Sequence, residues 1–484
     1  MAITLNTSPQ LVMPVYNPIY TSVTSDKTSQ EAFSFIFDIF INGNFINRDR
    51  LFQRPGTIEA IYSPARILES YLSYDKSQNT LLSTNSVNAI EQYEIQIGEE
   101  YVDQWTFVDN NYYFVAPYVG FTMFNGVGTH NFVSGDTILI TQFPGFASNN
   151  YNGVFTVLSA STNEIIVDLM HTVSTPVNGG TAVYADRRKT IYSDLASFSG
   201  YAFNGVLQYE EVPTWGFQNY NLKTSKVASF LTNQPSVVTV DLTDRGSLSF
   251  LRTTAFNASF DYLLEIAVTN KAGVTTIHEV LLPNMKVPQI TNNLIQHVGA
   301  YPWNVNQMGL GVIIDSSTKS YTLRIVQENP SVSYLGMSEY KTFEINTKCS
   351  KFEPVRFMFL NSFGAFDYFT ATLLSKESIS INKTTYQKVL TYNYDVGDRG
   401  RTVLGIEGQQ SYTVNSDWIN EDTSLWLREM ALSAEVYILD NIDGSIIPVI
   451  VDMGTYEINK HVNKKLFNQV FTYSKAFTKN TIRG

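Results

Sequence analysis

The stretch PVRFMFLNSFGAFDYFT, residues 354–370, carries large apolar side chains on both faces of a predicted strand. Successive side chains of a strand point to opposite faces, so Phe357 and Phe359 lie on one face and Met358 and Leu360 on the other. Strands that are apolar on both faces are covered on both faces. The stretch therefore predicts a strand in the middle of a sandwich.

The second half of this stretch predicts a turn and a returning strand. Asn361 to Gly364 supply the turn, in which Gly364 tolerates a positive φ because it has no Cβ. The chain then returns through Phe366, Tyr368 and Thr370. We expect a hairpin with one face in contact with another subunit.

The composition indicates a mainly β protein with partners on its surface. The chain has 484 residues, a length that suggests about three domains. Aromatic residues make up 13% and charged residues only 16%, which favours strands and surfaces covered by partners. The formal net charge of −11 argues against a nucleic-acid binder, which would need basic stripes.

The single cysteine and the N-terminus bear on the compartment. Cys349 is alone, so an intrachain disulfide is excluded and a reducing compartment fits. The N-terminus, MAITLNTSPQ, lacks the basic and apolar regions of a secretory signal. No apolar run reaches the roughly 18 residues that span a bilayer. The sequence thus predicts a soluble chain made in a cytoplasm, with no membrane partner.

Turn signals and strand patterns divide the chain into segments. We predict a mainly all-β, multi-domain fold of β-sandwich domains with an inserted small β-barrel and one short helix near the C-terminus. Short strands spaced about a dozen residues apart indicate the inserted barrel. The predicted segments are an extended N-terminal arm over 1–30, an N-terminal β-domain over 31–120 plus 191–230, the barrel over 121–190, a β-sandwich over 236–345 and a C-terminal β-rich domain over 346–484.

Several short patterns predict local structure. The pair Asn42-Gly43 ends an alternating strand and predicts a tight hairpin, and Asn270 to Gly273 predict another. Residues 309–326 are predicted to form a third hairpin. Pro448 implies an edge or bulge position, because proline has no N–H for a strand ladder.

One helix is predicted over about 421–433. Asn420 or Asp422 can cap its N-terminus, and acidic residues in the first turn suit the helix dipole. Trp426 and Met430 lie four residues apart and therefore share one face.

The motifs of common enzymes are missing from the sequence. The segment GDRGRT, 397–402, lacks the Gly-Lys-Ser/Thr ending of a P-loop and is predicted to be a turn. Neither GxGxxG nor GxSxG is present, and the five histidines lack metal-binding spacing. We expect no catalytic residue, no cofactor and no metal.

Paired carboxylates are the remaining catalytic candidates, since a glycosidase needs only two, held roughly 5 to 10 Å apart. The candidates are Glu99-Glu100, Glu210-Glu211 and Asp367. The chain lacks the repeats of roughly 20 to 50 residues that mark many repeat-built β-proteins. Asp367 is expected to cap a turn or to contact Arg356, which favours a non-enzymatic chain.

A spaced set of residues in the C-terminal segment follows the pattern C…R-x-x-F-L-N-x-x-G-x-x-D-x-F-T. Its members are Cys349, Arg356, Phe359, Leu360, Asn361, Gly364, Asp367, Phe369 and Thr370. This set resembles a hallmark of virion structural proteins in tailed phages of Bacteroidota, the crAss-like phages being the nearest group. The stretch 423–451 with Trp426, and the stretch 338–349, are similar to the same group. Ala365 departs from the pattern, which would have a second glycine there.

The resemblance implies a tail or connector component. It implies a non-enzymatic structural protein of the phage tail or head–tail region that forms a homo-oligomeric ring or hub of six-fold or twelve-fold symmetry. Its partners would be copies of itself, other tail or connector proteins and, if the ring surrounds the channel, packaged double-stranded DNA. Net negative charge would then let the duplex slide. The expected location is the virion tail, assembled in the host cytoplasm.

Two other readings stay open. A receptor-binding or glycan-degrading tail appendage is the alternative, although trimeric fibres usually carry repetitive, glycine-rich strands. A bacterial surface carbohydrate-binding module is a third reading, and it would predict a signal peptide or a lipid-attachment motif at the N-terminus.

Overall fold

The computed structural model describes residues 3–102, 104–106, 113–115, 120–125, 130, 132–141, 152–162, 164–170, 181–184, 189–192, 196–223, 226–252, 260–285, 294–311, 313–328, 334–347, 352–452 and 467–477. The chain forms two compact units. Unit 1 comprises Met1–Leu11, Pro18–Pro64 and Tyr93–Gly200, and unit 2 comprises Val12–Asn17, Ala65–Gln92 and Tyr201–Gly484. The chain is mainly β, with several sheets, which confirms the predicted fold class.

The first part of the chain is built from short strands. Its helical elements are α1 (Ala65–Glu69) and two 3₁₀ turns, Val212–Thr214 and Phe217–Asn219. The strands are β1 (Ile3–Thr7), β2 (Val12–Pro14), β3 (Thr21–Ser25), β4 (Ser34–Ile41), β5 (Asn44–Leu51), β6 (Glu59–Tyr62), β7 (Ser83–Ser86), β8 (Ile90–Tyr101), β9 (Gln104–Thr106), β10 (Tyr113–Val115), β11 (Phe121–Asn125), β12 (Thr137–Thr141), β13 (Gly153–Ala160), β14 (Glu164–Met170), β15 (Thr181–Tyr184), β16 (Lys189–Tyr192) and β17 (Phe198–Phe203).

The second part has longer strands. Its helices are α2 (Pro302–Asn306), α3 (Glu421–Leu432) and the 3₁₀ turn Pro283–Met285. The strands are β18 (Val237–Val240), β19 (Ser247–Arg252), β20 (Asp261–Asn270), β21 (Thr275–Leu281), β22 (Leu294–Gly299), β23 (Thr318–Glu328), β24 (Tyr334–Gly336), β25 (Lys341–Ile345), β26 (Val355–Leu360), β27 (Phe366–Ala371), β28 (Leu374–Gln387), β29 (Arg401–Ile419), β30 (Val436–Leu439), β31 (Ile446–Val451) and β32 (Phe467–Lys475).

The first predicted hairpin is confirmed in unit 1. Strands β4 and β5 pair antiparallel, and Asn42 and Gly43 join them with φ values of 49° and 78°. Both central residues of this turn therefore lie in the left-handed region that matches the twist of a two-residue hairpin. Strand β4 also pairs with β8, and Phe35, Phe37 and Ile39 are fully buried.

Residues 1–30 differ from the predicted extended arm. In unit 1, β3 pairs with β1 on one side and β6 on the other, and Val23 is fully buried. In unit 2, β2 pairs in parallel with residues 201–203, and Val12 is fully buried. These strands are too short for their isolated valines to produce a visible alternation in the sequence.

The predicted insertion contains one seven-stranded sheet. Its described pairings run as a linear series in the order β10-β11-β14-β13-β12-β15-β9. The series includes β9 and β10, so it begins before the predicted start at residue 121. Its core consists of Phe124, Phe132, Ile138, Ile140, Val157, Ile165, Val167 and Ala182.

One sheet of unit 2 has the order β18-β25-β23-β20-β21, with β24 also paired to β23. The hairpin at Asn270 to Gly273 is confirmed, with φ of 82° at Gly273. The predicted hairpin over 309–326 is wrong, because β23 pairs with β20 and β25. The Asn306 side chain accepts hydrogen bonds from the N–H groups of Ile313 and Ile314, which hold this segment as a loop.

A seven-stranded sheet of unit 2 has the order β27-β26-β30-β31-β32-β29-β28. The prediction for Pro448 is wrong in part, because β31 is an inner strand that pairs with β30 and β32. In the pairing of β31 with β32, the first paired residue of β31 is Val449. Pro448, which has no N–H, therefore lies just beyond the end of that ladder. Helix α3 begins as predicted, with Thr423 N–H donating to Asn420 Oδ1 at 2.8 Å.

Candidate functional site: the hairpin core, the groove and the ribbon

The hairpin predicted from residues 354–370 is present in unit 2. Strands β26 and β27 pair antiparallel, and the turn between them has φ of 72° at Gly364. Asn361 Oδ1 accepts hydrogen bonds from the N–H groups of Phe363 and Ala365 at 3.0 and 3.1 Å. A Cβ on Gly364 would lie 2.0 Å from the carbonyl oxygen of Asn204, so glycine is required there.

Both faces of the hairpin are covered by this chain itself. Phe357 and Phe359 pack in a cluster with Trp426 of helix α3. Met358 and Tyr368 belong to the larger cluster, most of whose members lie between residues 222 and 345. The hairpin is therefore buried on both faces, as predicted, but the expectation that one face meets another subunit is wrong.

Arg356 forms a buried ion pair with Asp244, not with Asp367. Its Nη1 lies 2.9 Å from Asp244 Oδ2, and the two side chains are 3% and 1% exposed. Its Nε and Nη2 also donate to the carbonyl oxygen of Arg245, and the guanidinium lies 4.5 Å from the ring centroid of Tyr301. Asp367 pairs with Phe359 in the ladder, so these two side chains lie on the same face of the hairpin. The Arg356 side chain lies on the other face, which prevents contact between Arg356 and Asp367.

Asp367 instead joins the hairpin to helix α3. Its Oδ2 accepts hydrogen bonds from Trp426 Nε1 at 2.7 Å and from Thr232 Oγ1 at 2.8 Å. Burial raises the pKa of Asp367, while these two hydrogen bonds act in the opposite direction. No local pattern could predict these partners, because Thr232 and Trp426 are distant from Asp367 along the chain.

Two further titratable groups lie near Asp367. Burial raises the pKa of Glu429 to about 7, and the negative charge of Asp367 is the second largest cause of this rise. Glu429 accepts hydrogen bonds from Asn233 Nδ2 at 2.6 Å and from the N–H of Ser362 at 3.1 Å. Burial lowers the pKa of Lys341 to about 8. This cluster holds a helix, a turn and a strand together by charge-assisted hydrogen bonds.

A groove of about 520 Å³ lies beside the hairpin in unit 2. We call it the β18 groove, because Val237 to Asp241 form one wall. The other wall includes Leu373 and Ser416 to Ile419, where strand β29 has a bulge with φ of 64° at Asp417. This bulge turns Trp418 outward, and 61% of that side chain is exposed. Bulges that re-aim side chains are common beside functional sites.

Strand β18 is an edge strand of its sheet in the described pairings. The carbonyl oxygens of Ser236 and Val240 accept hydrogen bonds from the β25 side. Residues alternate along a strand, so the backbone groups of Val237 and Thr239 point away from β25. The groove therefore offers an open strand edge, a feature that can pair with another chain.

A long two-stranded ribbon is the main feature that the sequence analysis missed. Strands β28 and β29 pair antiparallel from Leu374 to Gln387. The loop 388–400 joins them and contains part of the predicted turn at 397–402. We call residues 379–410 the ribbon and residues 388–400 the ribbon tip. Within the described part of the chain, the ribbon strands pair only with each other, whereas residues 411–419 also pair with β32.

The ribbon tip exposes large apolar side chains. Val389, Tyr392 and Val396 are 99%, 101% and 99% exposed. A two-stranded hairpin without a covered face is marginally stable in water. The ribbon therefore has the properties of an element that another molecule covers.

The other candidate carboxylates have local partners. In unit 1, Glu99 accepts a hydrogen bond from Ser25 Oγ at 2.7 Å, and Glu100 pairs with Arg50 at 2.7 Å. In unit 2, Glu210-Glu211 lies in a turn, and the second carboxylate accepts a hydrogen bond from the backbone N–H of residue 208. These carboxylates therefore stabilise the structure around them through local hydrogen bonds and an ion pair.

Cys349, His171 and His461 lie outside the described residues. His297 is buried, its Nδ1 lies 2.8 Å from Ser249 Oγ, and burial lowers its pKa to about 4. Across the described ranges, no group of three His, Cys, Asp or Glu side chains could hold a metal ion. The same part of the chain has no helix both long and apolar enough to cross a membrane.

Comparison of the whole chain with protein-family models finds no match, and comparison with curated proteins finds none.

Proposed function

We propose that this chain is a non-enzymatic structural subunit of a phage tail or head–tail region. In this proposal it assembles with copies of itself into a ring or hub, contacts neighbouring tail or connector proteins, and is located in the virion after assembly in the host cytoplasm. The observation that carries the proposal is the ribbon, whose tip exposes Val389, Tyr392 and Val396 almost completely.

Leaving the ribbon tip uncovered has a free-energy cost. Burying a large apolar side chain is worth about 1.5–3 kcal/mol, so three such side chains at one tip favour association. Aromatic residues are enriched at the centres of protein interfaces, and Tyr392 fits that role. Identical chains that associate head to tail close into rings when the rotation between neighbours permits.

The net charge suggests where such a ring could lie. If the ring surrounds packaged DNA, an acidic lumen would repel the duplex and let it slide. A lumen lined with Lys and Arg would contradict this part of the proposal.

One observation favours the alternative, a receptor-binding or glycan-degrading tail appendage. The β18 groove combines the exposed indole of Trp418 with the carboxylates of Asp241, Glu344 and Asp417. Aromatic surfaces with a few convergent polar groups are typical of ligand sites. Binding of host surface glycans by the purified chain, lost in a Trp418→Ala variant, would support this alternative.

Native mass spectrometry with negative-stain imaging of the same sample tests the main proposal. Closed rings of identical chains are the expected result. An elongated trimer would favour the appendage, and a chain that stays monomeric at every concentration would contradict self-assembly.

A further inference from the structure

We infer that the ribbon tip of one copy of this chain docks in the β18 groove of a second copy. This inference rests on the proposed self-assembly and adds the two surfaces that would meet. Three observations on unit 2 carry it: the reach of the ribbon, the shape and open edge of the groove, and the chemistry of the two surfaces.

The reach of the ribbon excludes docking within one molecule. Leu373 and Ser416 to Ile419 line the groove at the base of the ribbon. Strand β28 then spans the 14 residues from Leu374 to Gln387, about 43 Å from the first to the last at the usual rise per residue. A ribbon paired along this length cannot return to its own base, so the tip reaches only the groove of another molecule.

The groove suits an irregular, apolar loop. Its lip carries Trp418, Leu373 and Val237, which are 61%, 38% and 47% exposed. The open edge of β18 can supply main-chain hydrogen bonds to a segment laid along it, the common mode of strand addition. The side chains of Tyr392 and Val396 would lose their exposed apolar surface against this lip.

The charges of the two surfaces are complementary. The groove is lined by the carboxylates of Asp241, Glu344 and Asp417 and by the ion pair of Asp244 with Arg356. Asp241 Oδ1 also accepts a hydrogen bond from Asn346 Nδ2 at 2.9 Å. The tip and its first strand residue carry three exposed cations, Lys388, Arg399 and Arg401.

The two acids of the tip face its own backbone. Asp395 Oδ1 accepts a hydrogen bond from the N–H of Val396, and Asp398 Oδ2 accepts one from the N–H of Asp395. The cations of the tip are thus the groups best placed to meet the groove, which favours correct pairing and faster association. Each copy would contact the next one through its ribbon tip and the previous one through its groove, and a head-to-tail contact of this kind can close into a ring.

Cysteine cross-linking tests this contact directly. The background is the full chain with Cys349→Ser, which removes the only native cysteine. Val396→Cys at the tip is mixed with Val237→Cys at the groove edge and oxidised. A disulfide-linked dimer is expected, because a disulfide forms only when the two Cβ atoms approach to about 4 Å. The matched control replaces Val237→Cys by Ile277→Cys, a strand residue of unit 2 that is similarly exposed at 59%.

A second measurement separates this inference from self-assembly. In a tip-shortened variant, residues 389–399 are replaced by Asn-Gly, which suits a two-residue hairpin. If wild-type chain forms rings, the tip-shortened variant should be monomeric, and Trp418→Ala should weaken association at least about tenfold, because tryptophan is enriched among the residues that dominate interface energies.

Each contrary result has a distinct meaning. Rings that persist in the tip-shortened variant, or equal cross-linking to Val237→Cys and Ile277→Cys, would overturn the docking inference and leave the ring proposal standing. A wild-type chain that stays monomeric and does not cross-link would overturn both. Binding of the tip to a different tail protein, with no cross-link between copies, would also overturn the inference.

Discussion

Trp426 Nε1 donates a hydrogen bond of 2.7 Å to Asp367 Oδ2, and both residues are almost completely buried. This bond fastens helix α3 to the hairpin that forms the middle of the unit 2 core. Its role is structural, because it positions α3 beside the β18 groove, which Trp426 also lines.

Replacing Trp426 by Phe keeps an aromatic ring but removes the N–H donor. Asp367 would then lose one of its two Oδ2 donors inside the core, so we expect a loss of about 1–3 kcal/mol of unfolding free energy. Urea denaturation measures this loss. The control is Leu425→Ala on the exposed side of the same helix, expected within about 0.5 kcal/mol of wild type. Equal effects of the two variants would contradict the role assigned to the bond.

Replacing Arg356 by Met would leave Asp244 charged and buried without its partner. We expect destabilisation of about 3–5 kcal/mol, the usual consequence of removing one member of a buried ion pair. The control is Arg54→Met, because Arg54 pairs with Glu59 at 3.7 Å and is 59% exposed. That variant should change stability by less than about 1 kcal/mol. Thermal unfolding followed by calorimetry distinguishes the two, and a mild effect at Arg356 would show that Asp244 finds other compensation.

Gly364→Ala tests the turn of the hairpin. The new Cβ would meet the Asn204 carbonyl oxygen at 2.0 Å, and the positive φ adds strain, so a loss of more than about 2 kcal/mol is expected. Gly273→Ala is the control, since φ there is 82° but no atom lies within 4 Å of the new Cβ. Its cost should be only about 1–2 kcal/mol, from backbone strain alone. Equal losses would mean that the backbone near residue 204 yields easily.

The raised pKa of Glu429 predicts a pH-dependent stability. The folded chain holds this proton up to about pH 7, whereas the unfolded chain loses it near pH 4.5. The folded state therefore binds more protons between these values, and stability falls as pH rises through this window. Glu429→Gln should flatten the profile and raise stability at pH 8 by on the order of 1 kcal/mol.

Denaturation at a series of pH values between 4 and 8 checks this prediction. Glu421→Gln on the exposed first turn of the same helix is the matched control and should leave the slope unchanged. A slope that survives in Glu429→Gln would assign the pH dependence to Asp367, whose pKa burial also raises.

Much of the local structure could be predicted from the sequence. Asn42-Gly43 predicted a tight hairpin because only a few residues accept the left-handed backbone of its turn. Asn420 and Asp422 were the two predicted caps of α3, and the structure shows that the Asn420 side chain satisfies an N–H that the helix leaves unpaired. The double-sided apolar pattern around Phe357 and Phe359 predicted a strand covered on both faces.

The ribbon escaped prediction for a physical reason. A two-stranded ribbon exposed on both faces has no apolar face, so its strands lack the alternation that identifies a half-buried strand. The apolar residues of the tip are spread over a loop, where no periodicity is expected. Only the pairing of residues 374–387 with 401–415 reveals that they project together.

The sequence by itself determined the mainly β class, the principal hairpin turns and the helix near the C-terminus, because turns, caps and alternation act over a few neighbouring residues. The tertiary structure decided which partners the buried charges take: Arg356 pairs with Asp244 and Asp367 with Trp426. It also decided that this chain covers both faces of the hairpin, and that Val389, Tyr392 and Val396 of the ribbon tip remain exposed. These outcomes depend on contacts between residues far apart along the chain, and such contacts leave no local pattern in the sequence.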